Sequence, residues 1–180
     1  DCILTAEHAA LQRGAQDVRS LFSLDGGRTL RPFELPNPER RDPLQVYLAV
    51  RHDGYWAEGF VRVATTKDAL QSKVDGVLDA MVTRARPGLS CHELHRIIEQ
   101  NRGTLALHPL AATMFGNSIG LALDEPPALT PDSNTKLEAG AVYSLRAGLL
   151  DDTGAGVVAS AIVAVTPDGP ELLWRHGASS

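Results

Sequence analysis

From Ile119 to Trp174 the chain is a succession of strand-length runs, at Ile119 to Leu123, Ala141 to Leu150, Val157 to Val165 and Glu171 to Trp174. Turn chemistry separates them: Pro126-Pro127, Glu138-Ala139-Gly140, Asp151 to Gly156 and Pro167-Asp168-Gly169-Pro170. Strands spaced so closely predict an antiparallel sheet, and helical segments upstream supply the layer that covers it, an α+β class. One charge interrupts this pattern. Arg146 lies inside the otherwise apolar run Val142 to Leu150, and a guanidinium in a core strand is rarely left alone, so it either pairs with an acid or binds an anionic ligand.

Upstream, Leu44 to Arg51 and Tyr55 to Val63 flank Asp53-Gly54, the residue pair of a tight hairpin. With that pair at the turn centre, Ala49 faces Glu58, and Tyr47, Ala49, Trp56 and Glu58 share one surface. Two helices follow. Thr65-Thr66-Lys67-Asp68 resembles a capping box ahead of the stripe Leu70, Val74, Val77, Leu78, Met81 and Val82, which Pro87-Gly88 stops. Ser90-Cys91-His92-Glu93 is a second capping box, with Leu94, Ile97 and Ile98 as its apolar face and Asn101-Arg102-Gly103 as its stop. Residues 5 to 22 read as one helix through Leu11, Ala15, Val18 and Leu21 or Phe22, with Thr5 as cap and Glu7 in the first turn. Gly26, Gly27 and four prolines make Asp25 to Pro43 a loop with at most a short extended piece at Thr29 to Phe33, or else an interdomain linker. Residues 1–43 are therefore read as a helix and a Pro/Gly-rich segment, and 44–180 as the main domain.

The 180 residues carry 17 Lys and Arg against 22 Asp and Glu, a net charge of −5, which argues against general nucleic-acid binding. At 43% hydrophobic and 22% charged the composition is that of an ordinary globular domain. Apolar stretches such as Ala161 to Val165 fall far short of the roughly 20 residues that cross a bilayer, so no membrane partner is expected. Cys2 and Cys91 form no disulfide framework and no zinc motif, which favours a reducing, cytoplasmic compartment. The start at Asp1 reads as a truncation or processing point.

An ordered set of short segments resembles a known family. Gly116-Asn117-Ser118-Ile119-Gly120-Leu121, Asp124-Glu125-Pro126-Pro127, Leu137 through Gly148, and Gly156-Val157 through Val165-Thr166-Pro167-Asp168-Gly169 follow one another as do G-H-G-I-G-L, H-E-x-P, L-E-x-G-M-V-F-[ST]-x-E-P-G and G-V-R-[IV]-E-D with V-T-x-D-G in the creatinase/methionine aminopeptidase/prolidase family. Gly54-Tyr55-Trp56-Ala57-Glu58 is similar to that family's G-Y-x-[ST]-D, and Arg86-Pro87-Gly88 to its R-P-G. The resemblance implies a pita-bread fold, a curved antiparallel sheet backed by helices, shortened at its N-terminus in this chain. It also implies a cleft where relatives hold two divalent metals between two Asp, one His and two Glu, which polarise an amide and supply hydroxide.

On this chain those five positions become Tyr47, Glu58, Asn117, Arg146 and Ser160, and the His of H-E-x-P becomes Asp124. The preceding Pro-His pair aligns with Pro32-Phe33, which also removes the general base that metal-free creatinase uses. Only Glu58 remains a good hard-metal ligand, facing a guanidinium, so no metal and no other cofactor is expected. The expected arrangement is an Arg146–Glu58 pair bounded by Tyr47, Asn117 and Ser160, with Asp124 also in the cleft.

The reading that follows is a catalytically inactive, metal-free relative serving as a binding or assembly module, as a homodimer or paired with another protein. A metal-independent enzyme acting on a small carboxylate, amide or peptide in the same cleft, with Arg146 as the carboxylate anchor, is the alternative, and a peptidase-family hydrolase with an unrecognised metal site a second. Sharper uses of other residues lack partners. His92 and His95 read as a solvated helix face rather than a metal pair, Cys91 as structural rather than nucleophilic, and Ser118 has no histidine for a triad. His108 is an ordinary loop histidine or lines the cleft.

Overall fold

The computed structural model describes residues 2–32, 43–65 and 68–177. Helix α1 (Cys2–Gln12) opens the chain and is followed by strand β1 (Asp17–Phe22). The single helix read over residues 5 to 22 is therefore two elements, with Thr5 inside the first rather than capping it. Gly14, at φ +93°, is the break, because that backbone ends a helix cheaply only without a Cβ. Beyond it the pairing of Val18 with Val50 and Phe22 with Val46 outweighs local helical spacing.

β2 (Leu44–His52) and β3 (Tyr55–Val63) form the hairpin, and the order β1-β2-β3 makes a three-stranded antiparallel sheet. Asp53 and Gly54 both have positive φ, +48° and +85°, as a two-residue type I′ turn requires. The turn fixes the register expected from the sequence, with Ala49 opposite Glu58 and Arg51 opposite Trp56. Phe33 and the rest of the Pro-rich segment to residue 42 lie outside the described residues; just before them, Arg31 makes an isolated bridge to Phe22.

Helix α2 (Ala69–Arg84) starts at Asp68, whose side chain accepts from Gln71 N, so Asp68 is the cap itself rather than the last residue of a box begun at Thr65. Thr66 and Lys67 lie outside the described residues. The apolar stripe is as spaced: Val74, Val77, Leu78 and Met81 are buried, with Leu70 and Val82 packed at its margins. α3 (Cys91–Arg102) begins with the full capping box between Ser90 and Glu93 and ends at Gly103.

The remaining elements build a six-stranded antiparallel sheet: β4 (Ala106–Leu107), the short helix α4 (Pro109–Thr113), β5 (Gly116–Ser118), β6 (Glu125–Leu129), β7 (Val142–Leu150), β8 (Gly156–Thr166) and β9 (Gly169–Arg175). Its order is β6-β5-β7-β8-β9, with β4 also on β7. The expected strand Ile119 to Leu123 is instead a run of bends, and Pro126-Pro127, read as a separator, lies within a strand. The reason is positional: β6 is an edge strand, where a missing N–H costs no ladder bond, and the ladder shifts register between Asn117 and Ser118.

One face of β7 and β8 packs on α2 and α3. Tyr143, Leu145, Ala147, Leu149, Val157, Ala159, Ala161, Val163 and Val165 join Val74, Val77, Leu78, Met81, Leu94 and Ile98 in the core. The other face meets the three-stranded sheet, and polar groups fasten that seam. Gln45 Oε1 accepts from Val158 N at 3.2 Å, Ser160 Oγ accepts from Phe60 N at 3.0 Å, and Gly156 N donates to Gly26 O at 2.9 Å. The 23–29 loop is pressed against β8 so closely that a Cβ on Gly27 would stand 1.9 Å from Gly156 O. Asp25 shapes this loop. Burial would raise its carboxyl, but hydrogen bonds from Thr29 and Ser23 prevail and hold it at about 2.

Candidate functional site

Strand alternation decides what lines the space between the sheets. On β7, Ser144 and Arg146 alternate with the core residues Tyr143, Leu145 and Ala147, so they face the hairpin. Arg146 stands opposite Ser160 of β8, and Asn117 of β5 opposite Ser144. From the hairpin, Tyr47 lies opposite Phe60 and beside the Ala49–Glu58 pair, on the surface expected from the turn.

Arg146 is 7% exposed and Glu58 4%. Arg146 Nη2 donates to Glu58 Oε1 at 2.9 Å and to Asn117 Oδ1 at 2.7 Å. The other carboxylate oxygen, Glu58 Oε2, accepts the Tyr47 hydroxyl at 2.6 Å. Asn117 is held in place because its Nδ2 donates to Ser118 O at 2.8 Å and Leu123 O at 3.1 Å, which leaves Oδ1 to accept from the guanidinium. Burial, then the Glu58 charge and hydrogen bond, push the Tyr47 phenol far up, so it is a neutral donor.

Four of the six residues singled out from sequence, Tyr47, Glu58, Asn117 and Arg146, thus form one hydrogen-bonded chain. Ser160 faces the same space but accepts from Phe60 N. Asp124 is exposed at the rim, near enough for its charge to act on Tyr47. Two participants escaped the sequence reading. Phe60 packs at 5.0 Å from the Tyr47 ring and 5.8 Å from the Arg146 guanidinium, and its position two residues beyond Glu58 on the same strand face was the available signal. Ser144, two residues before Arg146, is the other.

The remaining candidates lie elsewhere. His92 is exposed, whereas His95 is half-buried and stacks on Phe115 at 5.8 Å, so only the former fits a solvated helix face. Cys91 is buried, and burial pushes its thiol up rather than down. Ser118 Oγ donates to Val142 O at 3.2 Å. His108 is neither loop ornament nor cleft residue: it caps α4 through Nδ1, which accepts from Leu110 N at 3.2 Å, while Nε2 donates to Gly27 O at 2.9 Å.

The sequence pattern of metallopeptidase family M24 matches residues 27–167, and the chain belongs to that family. Among solved structures it is similar to a prolidase from Pyrococcus furiosus, at TM-score 0.74 and 18% identity over 97% of this chain and 55% of that one. A Xaa-Pro dipeptidase from Bacillus anthracis gives TM-score 0.69 and 21% identity over 92% and 49%. The N-terminal domain of FACT complex subunit SPT16 from chickpea, Cicer arietinum, gives TM-score 0.70 and 16% identity over 98% and 49%. The fold is accordingly the pita-bread fold, and the chain spans about half the length of the structures it matches. No curated protein matches the sequence.

The metal pair implied by the family does not fit the residues present. Among the described residues no three His, Cys, Asp or Glu side chains gather into a metal-holding group. Glu58, the one hard ligand at the five positions, has both oxygens engaged, one of them by a cation. A divalent ion placed there would meet Arg146 rather than the several carboxylates it requires.

Proposed function

We propose that this chain is a catalytically inactive, metal-free member of the M24 family whose cleft serves as a binding or assembly surface. The observation that carries the reading is the Arg146–Glu58 ion pair, bonded further to Asn117 and Tyr47, at positions where the resemblance puts metal ligands. A guanidinium supplies fixed positive charge but no Lewis-acid site and no bound hydroxide, so the hydrolytic step of the active relatives has no agent here. A neighbour that is a domain of a complex subunit supports the use of this fold in assembly. The partner is a second copy of the chain or another protein, in a reducing, cytoplasmic setting.

The test is metal analysis after incubation with manganese, cobalt or zinc and removal of free ion, alongside dipeptide hydrolysis assays. The expected result is no retained metal and no turnover. About two tightly held ions per chain would overturn the reading.

One observation favours a second use of the same cleft. Arg146 Nε and Ser144 Oγ are both buried without a hydrogen-bond partner, two residues apart on one face of β7. A small carboxylate offers them acceptor oxygens. Thermal stabilisation by acetate or a dipeptide, lost on Ser144→Ala, would favour this ligand-binding form of the cleft and reopen metal-independent chemistry.

A further inference from the structure

A groove runs between α2 and α3 on the side of these helices away from the cleft. It consists of two adjoining pockets, of about 330 Å³ and about 190 Å³, which share Arg84, Ile97 and Gln100. The larger is continued by Ala80, Thr83 and Asn101, the smaller by Arg86, Leu89 and Arg96. The floor is thus half apolar, with side-chain amides along it and three arginines at one end.

Those arginines differ from the others nearby. Arg62, Arg102 and Arg175 each pair with an Asp or Glu. Arg84, Arg86 and Arg96 are exposed and, among the described residues, make no hydrogen bond or salt bridge, although the Arg96 charge acts on the neighbouring Glu93. The single acid in the smaller pocket, Glu93, turns its carboxylate to Ser90 N at 3.0 Å and Ser90 Oγ at 2.8 Å to close the helix cap. In a chain of net charge −5 this end of the groove is a local reversal of sign. Its roots are ordered: Ala85 is buried, Ala85 N donates to Val82 O, and Leu89 N donates to Arg86 O.

We propose that the α2–α3 groove docks an acidic peptide segment of a partner protein, with Asp or Glu carboxylates taken by Arg84, Arg86 and Arg96 and an apolar side chain resting on Leu89 and Ile97. The arginine fork matches a carboxylate in two parallel hydrogen bonds, and an unpaired arginine gives up no internal salt bridge to do so. The apolar floor and the amides of Gln100 and Asn101 suit a peptide chain. A nucleic acid would need a basic surface of much greater extent, and Asp79 stands at the other end of the groove.

The test is fluorescence anisotropy of the full chain with a labelled peptide alternating glutamate and leucine. Saturable binding that weakens with salt is expected, with a loss of about tenfold or more in R84E/R96E. Arg96→Ala, which removes charge without adding repulsion, should lose several-fold while its thermal midpoint stays at the parent value. Absence of saturable binding at low salt, equal binding by R84E/R96E, or equal binding of the lysine-for-glutamate peptide would overturn the proposal. Equal competition by inorganic phosphate or a single-stranded oligonucleotide would overturn it too. Because the groove lies across α2 and α3 from the cleft, failure here leaves the reading of the cleft as it stands.

Discussion

The two faces of the β7–β8 pair are made by the same strands and obey different rules. Toward the helices, every alternate side chain is apolar and fully packed, from Tyr143 and Leu145 to Val163 and Val165. Toward the hairpin, the alternates include Ser144, Arg146 and Ser160, and the latter two are bonded to groups supplied by other strands. Alternation separates the two inventories, so the apolar face can hold the M24 fold while the polar face is free to carry a different set of side chains. The comparison also says where each face is fragile. Packing fails in proportion to volume removed, whereas a buried polar chain fails when one member leaves the others unpaired.

The largest effect should come from breaking the ion pair one-sidedly. Arg146→Met strands the Glu58 carboxylate with only the Tyr47 hydroxyl, at an expected cost of about 3–5 kcal/mol in denaturant unfolding. Arg146→Met combined with Glu58→Leu should recover part of that loss, because no buried charge is left alone, although the Tyr47 hydroxyl and Asn117 Oδ1 lose their partners. A single-variant cost near that of a surface pair, below about 1 kcal/mol, would erase the distinction between the faces.

On the helix side, Leu78→Ala removes a fully buried side chain from the cluster shared by α2, β7 and β8 and should cost about 2–5 kcal/mol. A loss well under that range would show a face able to collapse around the gap. Ser160→Ala sharpens the contrast at smaller scale. It leaves Phe60 N–H buried without its acceptor and should cost about 1–3 kcal/mol, although the volume removed is a single oxygen. Equal stability of that variant and parent would mean the seam between the sheets does not depend on this bond.

How much of this was legible beforehand follows from whether the deciding interaction was local. The Asp53-Gly54 turn sets the hairpin register by itself, which is why the Glu58 and Tyr47 face could be read correctly. The Ser90–Glu93 box and the α2 stripe are likewise contained within one helix. β1 was not legible, because Val18 and Phe22 fit a helical stripe as well as a strand and only pairing with β2 decides between them. The prolines of β6 read as a break until its edge position is known. In the cleft, the positions came from family resemblance, while the bonds of Asn117 and the roles of Phe60 and Ser144 depend on strands far apart in sequence.

The smallest predicted effect concerns the far end of the seam, where polar groups again hold the sheets together but a histidine does the holding. His108 is 1% exposed, donates through Nε2 to Gly27 O and accepts through Nδ1 from Leu110 N, an arrangement only the neutral ring can make. Burial holds its pKa below the usual histidine value, against the opposing pull of the Gly27 hydrogen bond. The unfolded chain therefore takes up a proton, near pH 6.5, before the folded one does. Its contribution to stability is complete above that pH and is lost as pH falls toward the folded value, with a slope of at most about 1.4 kcal/mol per pH unit. Denaturant titrations between about pH 7 and about pH 5 should show this decline in the parent and a flatter profile in His108→Gln, whose amide offers both a donor and an acceptor but does not titrate in that range. Identical slopes in the two proteins would assign the acid sensitivity to other groups and leave His108 as a capping residue alone.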